Sequence, residues 1–222
     1  MTHSEHRSLL ERLRRIDASS LSDADKTLRV VGSAIRPVTP GARLLGRAVT
    51  AQANGDLMSV IAALHESRAG DVLVVEAGVG DRAVAGELFA TEAMRRGVAG
   101  MVIDGLCRDT PTLLRLELPV FARGATPIAA PAQRVPVTGT PVTIGGVQVR
   151  PGDLLLGDDD GMVVGTEEEV ALPIDRAEAI QAGERSLRAA VSGGTPIFDA
   201  MNYEEHVARL RAGQDSALSL GL

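Results

Sequence analysis

The sequence predicts an α/β fold built on a parallel sheet. Its central part alternates helical patterns with runs at 72–76, 98–104 and 118–122 that are almost continuously apolar. Such runs are typical of strands that are buried on both faces of a parallel sheet. With 222 residues, of which 45% are hydrophobic, the chain can bury a core without disulfides or a structural metal. The β-α-β-α-β order also implies right-handed crossover connections.

The segment before this unit is predicted to be helical and then extended. Apolar residues recur at helical spacing over 4–17 and predict an amphipathic helix. The tetrad Ser-Asp-Ala-Asp at 22–25 offers a cap for a short second helix. Residues 46–53 are predicted to form a strand, and Asp56 can cap a helix that runs through Ser67.

The remaining elements follow from the same patterns. A helical pattern at 82–96 separates the first and second apolar runs, and a short helix is predicted over 109–116. Short alternating runs at 133–165, broken by Gly-Gly, Pro-Gly and Asp-Gly, predict β structure. Residues 166–191 return to a helical pattern, and a last helix is predicted over 203–211.

Composition excludes several classes of function. Lys and Arg total 23 and Asp and Glu total 29, so the net charge is −6. An acidic chain lacks the clustered cations that nucleic-acid phosphates require. The one cysteine, Cys107, excludes an internal disulfide and any multi-cysteine metal site. Three Phe, one Tyr and no Trp leave too few side chains for an aromatic base-stacking or sugar-binding platform.

We expect a single domain over 1–222, with a core at about 20–190 and a helical tail at 191–222. The N-terminus is polar and mixed in charge, without the apolar stretch of a secretory signal. No run approaches the roughly 18 apolar residues that a membrane span requires. The expected location is therefore cytoplasmic, with neither nucleic acid nor membrane as a partner.

Residues 78–83 form a G-x-G-x-x-A pattern after a buried strand, and Asp104 ends the next strand where a ribose-binding acid is expected. Two observations speak against a dinucleotide site. Asp81 would repel a pyrophosphate at the helix N-terminus, and β hairpins follow instead of further βα units. We interpret Gly78 and Gly80 as a turn that reverses the chain.

The residues best placed for chemistry follow the strand at 98–104. Arg108 and Asp109 come just past its carboxyl end, where open α/β sheets place ligands. Arg108 offers a planar fork of donors that suits a carboxylate. Asp109 offers a hard oxygen that suits Mg²⁺, which keeps several waters and needs few protein ligands. The segment 86–89 lies near a helix start, where free backbone N–H groups can receive an anion.

Each of these residues also has a structural interpretation. An Arg-Asp pair after a strand is commonly a surface ion pair or a helix cap, and Glu87 can be a solvated first-turn acid. Asp104 is expected to cap a turn through Gly105. Cys107 is either a reactive thiol beside Arg108 or a small buried residue, and we favour burial.

The segment from Gly86 to Asp109 fits the pattern G-E-L-x-A-T…R-G-x-x-G-x-V-I-D-G-x-x-R-D. This pattern resembles the regulator of ribonuclease activity A family, and more specifically its branch of 4-hydroxy-4-methyl-2-oxoglutarate aldolases, which also decarboxylate oxaloacetate. The resemblance spans about residues 20–190. It also includes the segments 119–124, 150–153 and 158–161.

The resemblance implies a fold and an assembly. The fold is an α/β/β sandwich of the swivelling phosphohistidine-domain type, with flanking N- and C-terminal helices. The assembly is a homotrimer or a dimer of trimers, with active sites between subunits.

The resemblance also implies a role for each candidate site residue. Asp109 matches the ligand of a divalent cation, Mg²⁺ or Mn²⁺, and Arg108 matches the arginine that contacts the pyruvyl group. Glu87 matches an acid that helps to hold the catalytic water, and Glu184 matches an acid that reaches the site of a neighbouring subunit. The segment whose backbone amides hold the pyruvate carboxylate comprises Gly86, Glu87, Leu88 and Phe89, the last where Leu is commoner.

These matches predict a metal-dependent lyase that cleaves 4-hydroxy-2-oxo acids to pyruvate and decarboxylates oxaloacetate. Members that regulate ribonuclease E lack the acid after the arginine, so Asp109 favours an enzyme over a non-catalytic protein-binding regulator. The only lysine, Lys26, is far from the motif in sequence, which favours metal chemistry over a Schiff base. Arg82 and Arg123 are either candidates for binding a distal carboxylate or solvated surface charges.

Overall fold

A nine-stranded mixed sheet forms the centre of the molecule in the computed structural model, which describes residues 3–219. The strand order is β1-β11-β10-β3-β4-β6-β7-β2, with β5 paired to β6, and β8 and β9 form a separate hairpin. The strands are β1 (Arg29–Val30), β2 (Arg36–Pro37), β3 (Leu44–Gln52), β4 (Asp71–Glu76), β5 (Ala83–Ala85), β6 (Gly100–Cys107), β7 (Val120–Ala125), β8 (Val142–Ile144), β9 (Val147–Val149), β10 (Leu154–Asp158) and β11 (Gly161–Gly165).

Helices cover one face of this sheet, and helices also form the N- and C-terminal parts of the chain. They are α1 (His3–Leu13), α2 (Ala18–Ala24), α3 (Met58–Glu66), α4 (Glu87–Arg95), α5 (Thr110–Leu113), α6 (Glu167–Ala171), α7 (Ile174–Ser192) and α8 (Tyr203–Arg211), with a 3₁₀ turn at Ile197–Ala200. The predicted last helix at 203–211 is confirmed. No helix within residues 3–219 combines the length and apolarity that crossing a membrane requires.

The predicted parallel core is confirmed, because β3, β4, β6 and β7 are neighbours and run parallel. Alternate side chains of these strands enter two different apolar clusters. Leu73 and Ile103 pack with α3 and α4 on one face. Val74 and Val102 pack on the other face against Ile144 of the β8–β9 hairpin. Helices on one side of the sheet and a second small sheet on the other make the α/β/β sandwich that the family resemblance implies.

A third apolar cluster joins the two ends of the chain to β10 and β11. Leu13 and Leu21 of the N-terminal helices pack there with Ala177 of α7. At the edge of this cluster, the guanidinium of Arg12 donates to both oxygens of Glu178, at 2.8 and 2.7 Å. This bidentate ion pair joins α1 to α7, so the N-terminal and C-terminal flanking helices are in contact.

The predicted cap of the second helix is wrong. Helix α2 begins at Ala18, and Asp17 is its cap, since the carboxylate accepts a hydrogen bond from the amide of Ser20 at 2.6 Å. The tetrad at 22–25 lies at the carboxyl end of the helix. By contrast, Asp56 does cap the start of α3, accepting from the amide of Met58 at 2.9 Å.

The predicted helix at 82–96 is wrong in its first part. Residues 83–85 form β5, which pairs in parallel with β6, and α4 starts only at Glu87. Because Ala83, Val84 and Ala85 are all buried, their backbone N–H and C=O groups need hydrogen-bond partners, and pairing in the sheet supplies them. The G-x-G-x-x-A pattern therefore precedes a strand and not a helix. Gly78 adopts φ +79° in a turn against Asn54, as the turn interpretation requires.

Other boundaries shift by a few residues. The strand predicted at 98–104 continues to Cys107, and the helix predicted at 109–116 is the four-residue α5. Gly193 ends α7, and the tail beyond it includes α8. The last three residues of the predicted tail, 220–222, lie outside the described residues.

Candidate active site

A cavity of about 140 Å³ opens where β5, β6 and α4 meet. Arg108 and Asp109 follow directly on β6, and Gly86 joins β5 to α4, so the sheet pairing brings both motifs to one place. The cavity is lined by Leu57, Ala83, Ala85, Gly86, Leu88, Phe89, Arg108, Asp109 and Ala129. Five of the predicted site residues therefore surround a single cavity.

Gly86 is in close contact with both charged residues. A Cβ at this position would lie 2.5 Å from Asp109 Oδ2 and 2.8 Å from Arg108 Cγ. Both distances are far shorter than real Cβ contacts. The glycine of the motif is thus required by the close approach of the Arg-Asp pair to the backbone.

Asp109 caps the N-terminus of α4 through its side chain. Its Oδ2 atom accepts a hydrogen bond from the amide of Glu87 at 3.1 Å and lies 3.3 Å from Nε of Arg108. The backbone of Asp109 is left-handed, with φ 61° and ψ 34°, a conformation that Asp tolerates better than most residues. This turn directs the carboxylate back towards α4, and the Oδ1 atom has no protein partner within residues 3–219.

Arg108 is held by its backbone and leaves most of its guanidinium available. Its amide donates to the carbonyl of Ala85 at 3.0 Å, which continues the pairing of β5 and β6. Its Nε faces Asp109, while its two Nη groups have no acceptor in the described part of the chain. The side chain is 40% exposed. It can therefore turn its planar fork towards a ligand in the cavity.

Two further donors lie at the first turn of α4. Ala90 is the first residue whose amide bonds within the helix, to the carbonyl of Gly86 at 3.1 Å. Asp109 satisfies the amide of Glu87, so the amides of Leu88 and Phe89 have no acceptor within the described residues. Both residues line the cavity. The anion-binding role of the segment 86–89 stays a prediction, and these two amides and the positive end of the helix are the groups that would serve it.

The two predicted acids stand apart from the cavity lining. The Glu87 side chain is half-buried at the start of α4, next to the cavity but not part of its wall. Glu184 is exposed on α7, which packs against α2 on the other flank of the molecule. Within one chain Glu184 does not line the cavity, so its predicted role across a subunit interface stays a prediction.

Neighbouring polar residues have structural roles. Asp104 was expected to cap a turn through Gly105, and this prediction is wrong. Its carboxylate accepts from the guanidinium of Arg123 and from the amide of Gly145, the latter at 2.7 Å, and so fixes the β8–β9 hairpin to β6. Cys107 is fully buried, as favoured, and burial raises the pKa of its thiol.

The donor set suits a hard cation that needs few protein ligands. No group of three or more His, Cys, Asp or Glu side chains in the described residues can hold a metal. Asp109 presents a single carboxylate with a free Oδ1 atom beside an open cavity. Mg²⁺ and Mn²⁺ bind through one or two carboxylates and fill their remaining positions with water and substrate oxygens, so Asp109 fits such an ion.

Sequence reasoning missed four apolar residues of the cavity wall. Leu57, Ala83, Ala85 and Ala129 carry no chemical signal, and they come together only through long-range pairing. Ala83 bonds to both neighbours of Ala129, donating to Ile128 and accepting from Ala130. The short alternation of small residues at 83–85 was the one local sign of a strand at this position.

The fold and the site define an α/β/β sandwich protein with an Arg-Asp pair set against a helix N-terminus. The chain belongs to the RraA-like family, described as Aldolase/RraA, whose model matches residues 18–164.

Known proteins resemble the chain over most of its length. A curated relative from Halalkalibacterium halodurans, named a putative 4-hydroxy-4-methyl-2-oxoglutarate aldolase, is 36% identical over 188 residues, covering 82% of this chain and 88% of the relative. An uncharacterised protein from Pseudomonas syringae pv. tomato superposes with a TM-score of 0.75 at 30% identity, covering 86% of this chain and 94% of that one. Streptomyces coelicolor RraAS2, an unusual member of the RNase ES inhibitor RraA family, has a TM-score of 0.72 at 30% identity, covering 82% and 97%.

Proposed function

We propose that this protein is a divalent-metal-dependent lyase that cleaves 4-hydroxy-2-oxo acids to pyruvate and also decarboxylates oxaloacetate. The observation that carries the proposal is the juxtaposition of Asp109, Arg108 and the first turn of α4 around one cavity. A cation ligand, a guanidinium and free amides together match the three oxygens of a 2-oxo carboxylate. The aldolase names of relatives about 35% identical support the same class of reaction.

The pyruvyl half of the substrate is bound by this chain's own donors. Its carboxylate accepts hydrogen bonds from the amides of Leu88 and Phe89, where the helix end favours negative charge. Arg108 donates to the 2-oxo oxygen, on which negative charge grows during bond cleavage. Because Arg108 stabilises a negative charge that develops in the transition state, it raises the rate of bond cleavage and not only the affinity for the substrate.

Asp109 would hold the divalent cation through its free carboxylate oxygen. A bound cation supplies Lewis-acid stabilisation of the negative charge on the 2-oxo group. The hydrogen bond from the amide of Glu87 fixes the Asp109 carboxylate in place, as partners of metal ligands commonly do. Gly86 allows both charged side chains to approach the same point.

Proton transfer is assigned to a water held by Glu87. In aldol cleavage this water takes the proton of the C4 hydroxyl, and the C3–C4 bond breaks to leave a carbonyl product. The electron pair stays on the pyruvyl fragment, and protonation of C3 yields pyruvate. With oxaloacetate, loss of CO₂ replaces loss of the carbonyl product. The lysine required for a Schiff base is absent from the cavity, since the only lysine, Lys26, pairs with Asp23 on α2.

The active assembly in this proposal is a homotrimer or a dimer of trimers. Leu88, which lines the cavity, is 71% exposed, and Ile128, next to the lining residue Ala129, is 48% exposed. Large exposed apolar side chains beside a site are typical of a surface that another protein covers. A neighbouring subunit placed there brings Glu184 to the water that Glu87 holds.

The test is pyruvate release from oxaloacetate and from 4-hydroxy-4-methyl-2-oxoglutarate, followed with purified protein. We expect turnover with Mg²⁺ or Mn²⁺, its loss in excess chelator and its return when the metal is restored. Full activity in chelator would contradict the metal requirement. Absence of turnover with every added metal would favour the alternative, a non-catalytic regulator that binds a ribonuclease E-type partner.

A further inference from the structure

The cavity borders β5. Gly86 lies beside the Arg-Asp pair, and Ala83, Ala85 and Ala129 also line the cavity, with Ala129 paired to Ala83 in a parallel bridge. These three side chains are methyl groups, so this part of the lining offers no side-chain hydrogen-bond donor. A charged group on the far part of a substrate must therefore be met beyond these methyl groups.

Arg82 lies next to these methyl groups, directly before β5. Its side chain is exposed, and its Nη1 donates to the carbonyl of Ala129 at 3.3 Å, on the cavity wall itself. It forms no ion pair with a carboxylate anywhere in the described part of the chain. Neither Arg82 nor the other candidate, Arg123, is part of the cavity lining, but Arg123 is already paired with Asp104. Arg82 is therefore a cation that keeps donors free at the rim of the site.

The distance between Arg82 and Gly86 suits a short diacid. Arg82 and Gly86 are four residues apart along an extended segment, so their Cα atoms lie at most about 14 Å apart. An arginine side chain and a chain of four or five carbons together bridge a gap of this size. The charges near the site also favour a diacid bound by Arg82. The protein is acidic and Asp81 and Asp109 are nearby, so a dianionic substrate needs a cation at each end.

We propose that Arg82 binds the distal carboxylate of the substrate and so selects 2-oxo dicarboxylates over 2-oxo monocarboxylates. The assignment rests on the proposed function, since it places the pyruvyl half at Arg108. It makes Arg82 a residue for specificity that acts in binding, whereas Arg108 acts on the reacting half. Exposed guanidinium–carboxylate contacts are worth less than buried ones, so the effect should be moderate.

The experiment compares Arg82→Ala and Arg82→Lys with the wild-type protein, using two ligands that share the pyruvyl half. Oxaloacetate carries a distal carboxylate and is followed by its KM, and pyruvate lacks one and is followed by its inhibition constant. Arg68→Ala removes another exposed arginine, which lies before the amino end of the central strand β4, and serves as the control. All measurements use the assembled protein loaded with Mg²⁺.

We expect Arg82→Ala to raise the KM for oxaloacetate roughly tenfold and to leave kcat and the pyruvate inhibition constant unchanged. Arg82→Lys should recover part of the loss, and Arg68→Ala should change none of the three values. An unchanged KM in Arg82→Ala, or an equal weakening for both ligands, would overturn the assignment while the proposed function stands. A wild-type protein that releases no pyruvate would overturn the proposed function and this assignment with it.

Discussion

The carboxylate of Asp109 accepts a hydrogen bond from the backbone amide of Glu87, at 3.1 Å, across the junction of β6 and α4. Asp109 therefore follows the end of β6 and also caps α4, a helix that begins 22 residues earlier in the sequence. The contact uses only Oδ2, so Oδ1 can bind a cation without releasing the helix. The structural interpretation of the Arg-Asp pair, as ion pair and helix cap, is confirmed, and it is compatible with the proposed catalytic role.

The two roles of Asp109 separate in a pair of substitutions. Asp109→Asn keeps a side-chain oxygen to cap α4 and a residue that tolerates a left-handed backbone, but it loses the charge that binds a cation. We expect both Asp109→Asn and Asp109→Ala to lose about a thousandfold in turnover and to weaken Mg²⁺ binding. Only Asp109→Ala should also lose stability, by about 1 kcal/mol for the cap. Kinetics, metal titration and denaturant unfolding measure these three effects.

Wild-type turnover and metal affinity in Asp109→Asn would show that the pair is structural only.

Gly86→Ala tests the close approach of the Arg-Asp pair. The added methyl would overlap with Asp109 Oδ2 and Arg108 Cγ, so both side chains must move. We expect at least about a hundredfold loss of kcat/KM, since a displacement of about 1 Å at a catalytic group has effects of this size. Steady-state kinetics of oxaloacetate decarboxylation measure it. The matched control is Gly124→Ala on the neighbouring strand β7, where a Cβ would meet only Leu106, at an ordinary 3.5 Å.

Equal losses in the two glycine variants would indicate a general effect on the sheet and not on the site.

Arg108→Lys retains a positive charge but loses the planar fork. Because Arg108 does not bind the cation, metal affinity should stay at the wild-type level while kcat falls roughly a hundredfold, the usual effect of one electrostatic donor. Isothermal titration with Mg²⁺ and steady-state kinetics separate the two. A loss confined to KM would mean that Arg108 contributes uniform binding and no transition-state stabilisation.

The parallel core could be predicted from the sequence because apolar runs such as 72–76 have one stable location, the middle of a covered sheet. The site was partly predictable, since Arg108 and Asp109 were placed after a strand and the segment 86–89 near a helix start. What the sequence did not predict was β5. Residues 83–85 are too few for a clear period, and only their pairing with β6 distinguishes a strand from the first turn of α4. The cavity wall depends on that pairing, so it was missed as well.

Acid stability should depend on the docking of the N-terminal helix through Glu167. Burial raises the pKa of this carboxyl, but hydrogen bonds from Arg47 and His6 outweigh that effect and hold the pKa below its ordinary value of 4.5. The ionised form therefore adds stability above pH 4.5, and this is lost as the pH falls through the folded pKa. We expect Glu167→Gln to destabilise the protein by about 1 kcal/mol at pH 7, with a difference that shrinks towards pH 3.

Urea unfolding at several pH values measures this difference. Glu168→Gln, the next residue in the same helical turn, is exposed and forms no ion pair within the described residues, so it should show no such dependence. A constant difference between wild type and Glu167→Gln from pH 7 to pH 3 would contradict the prediction.

The role of Glu184 can be decided by mixing two inactive chains. Glu184 is exposed on α7 and does not line the cavity of its own chain, so a catalytic role requires a neighbouring subunit. Asp109→Ala chains retain Glu184 but lose their own metal ligand. Glu184→Gln chains retain the metal ligand Asp109 but lose Glu184. In a mixed ring, each Glu184→Gln chain beside an Asp109→Ala chain has one intact site. Co-expression of the two should therefore recover up to about a quarter of wild-type turnover per chain, although each variant alone is nearly inactive. Turnover of the co-purified mixture, with its mass from light scattering, is the measurement. A monomer with full activity, or a mixed oligomer that recovers none, would remove Glu184 from the site.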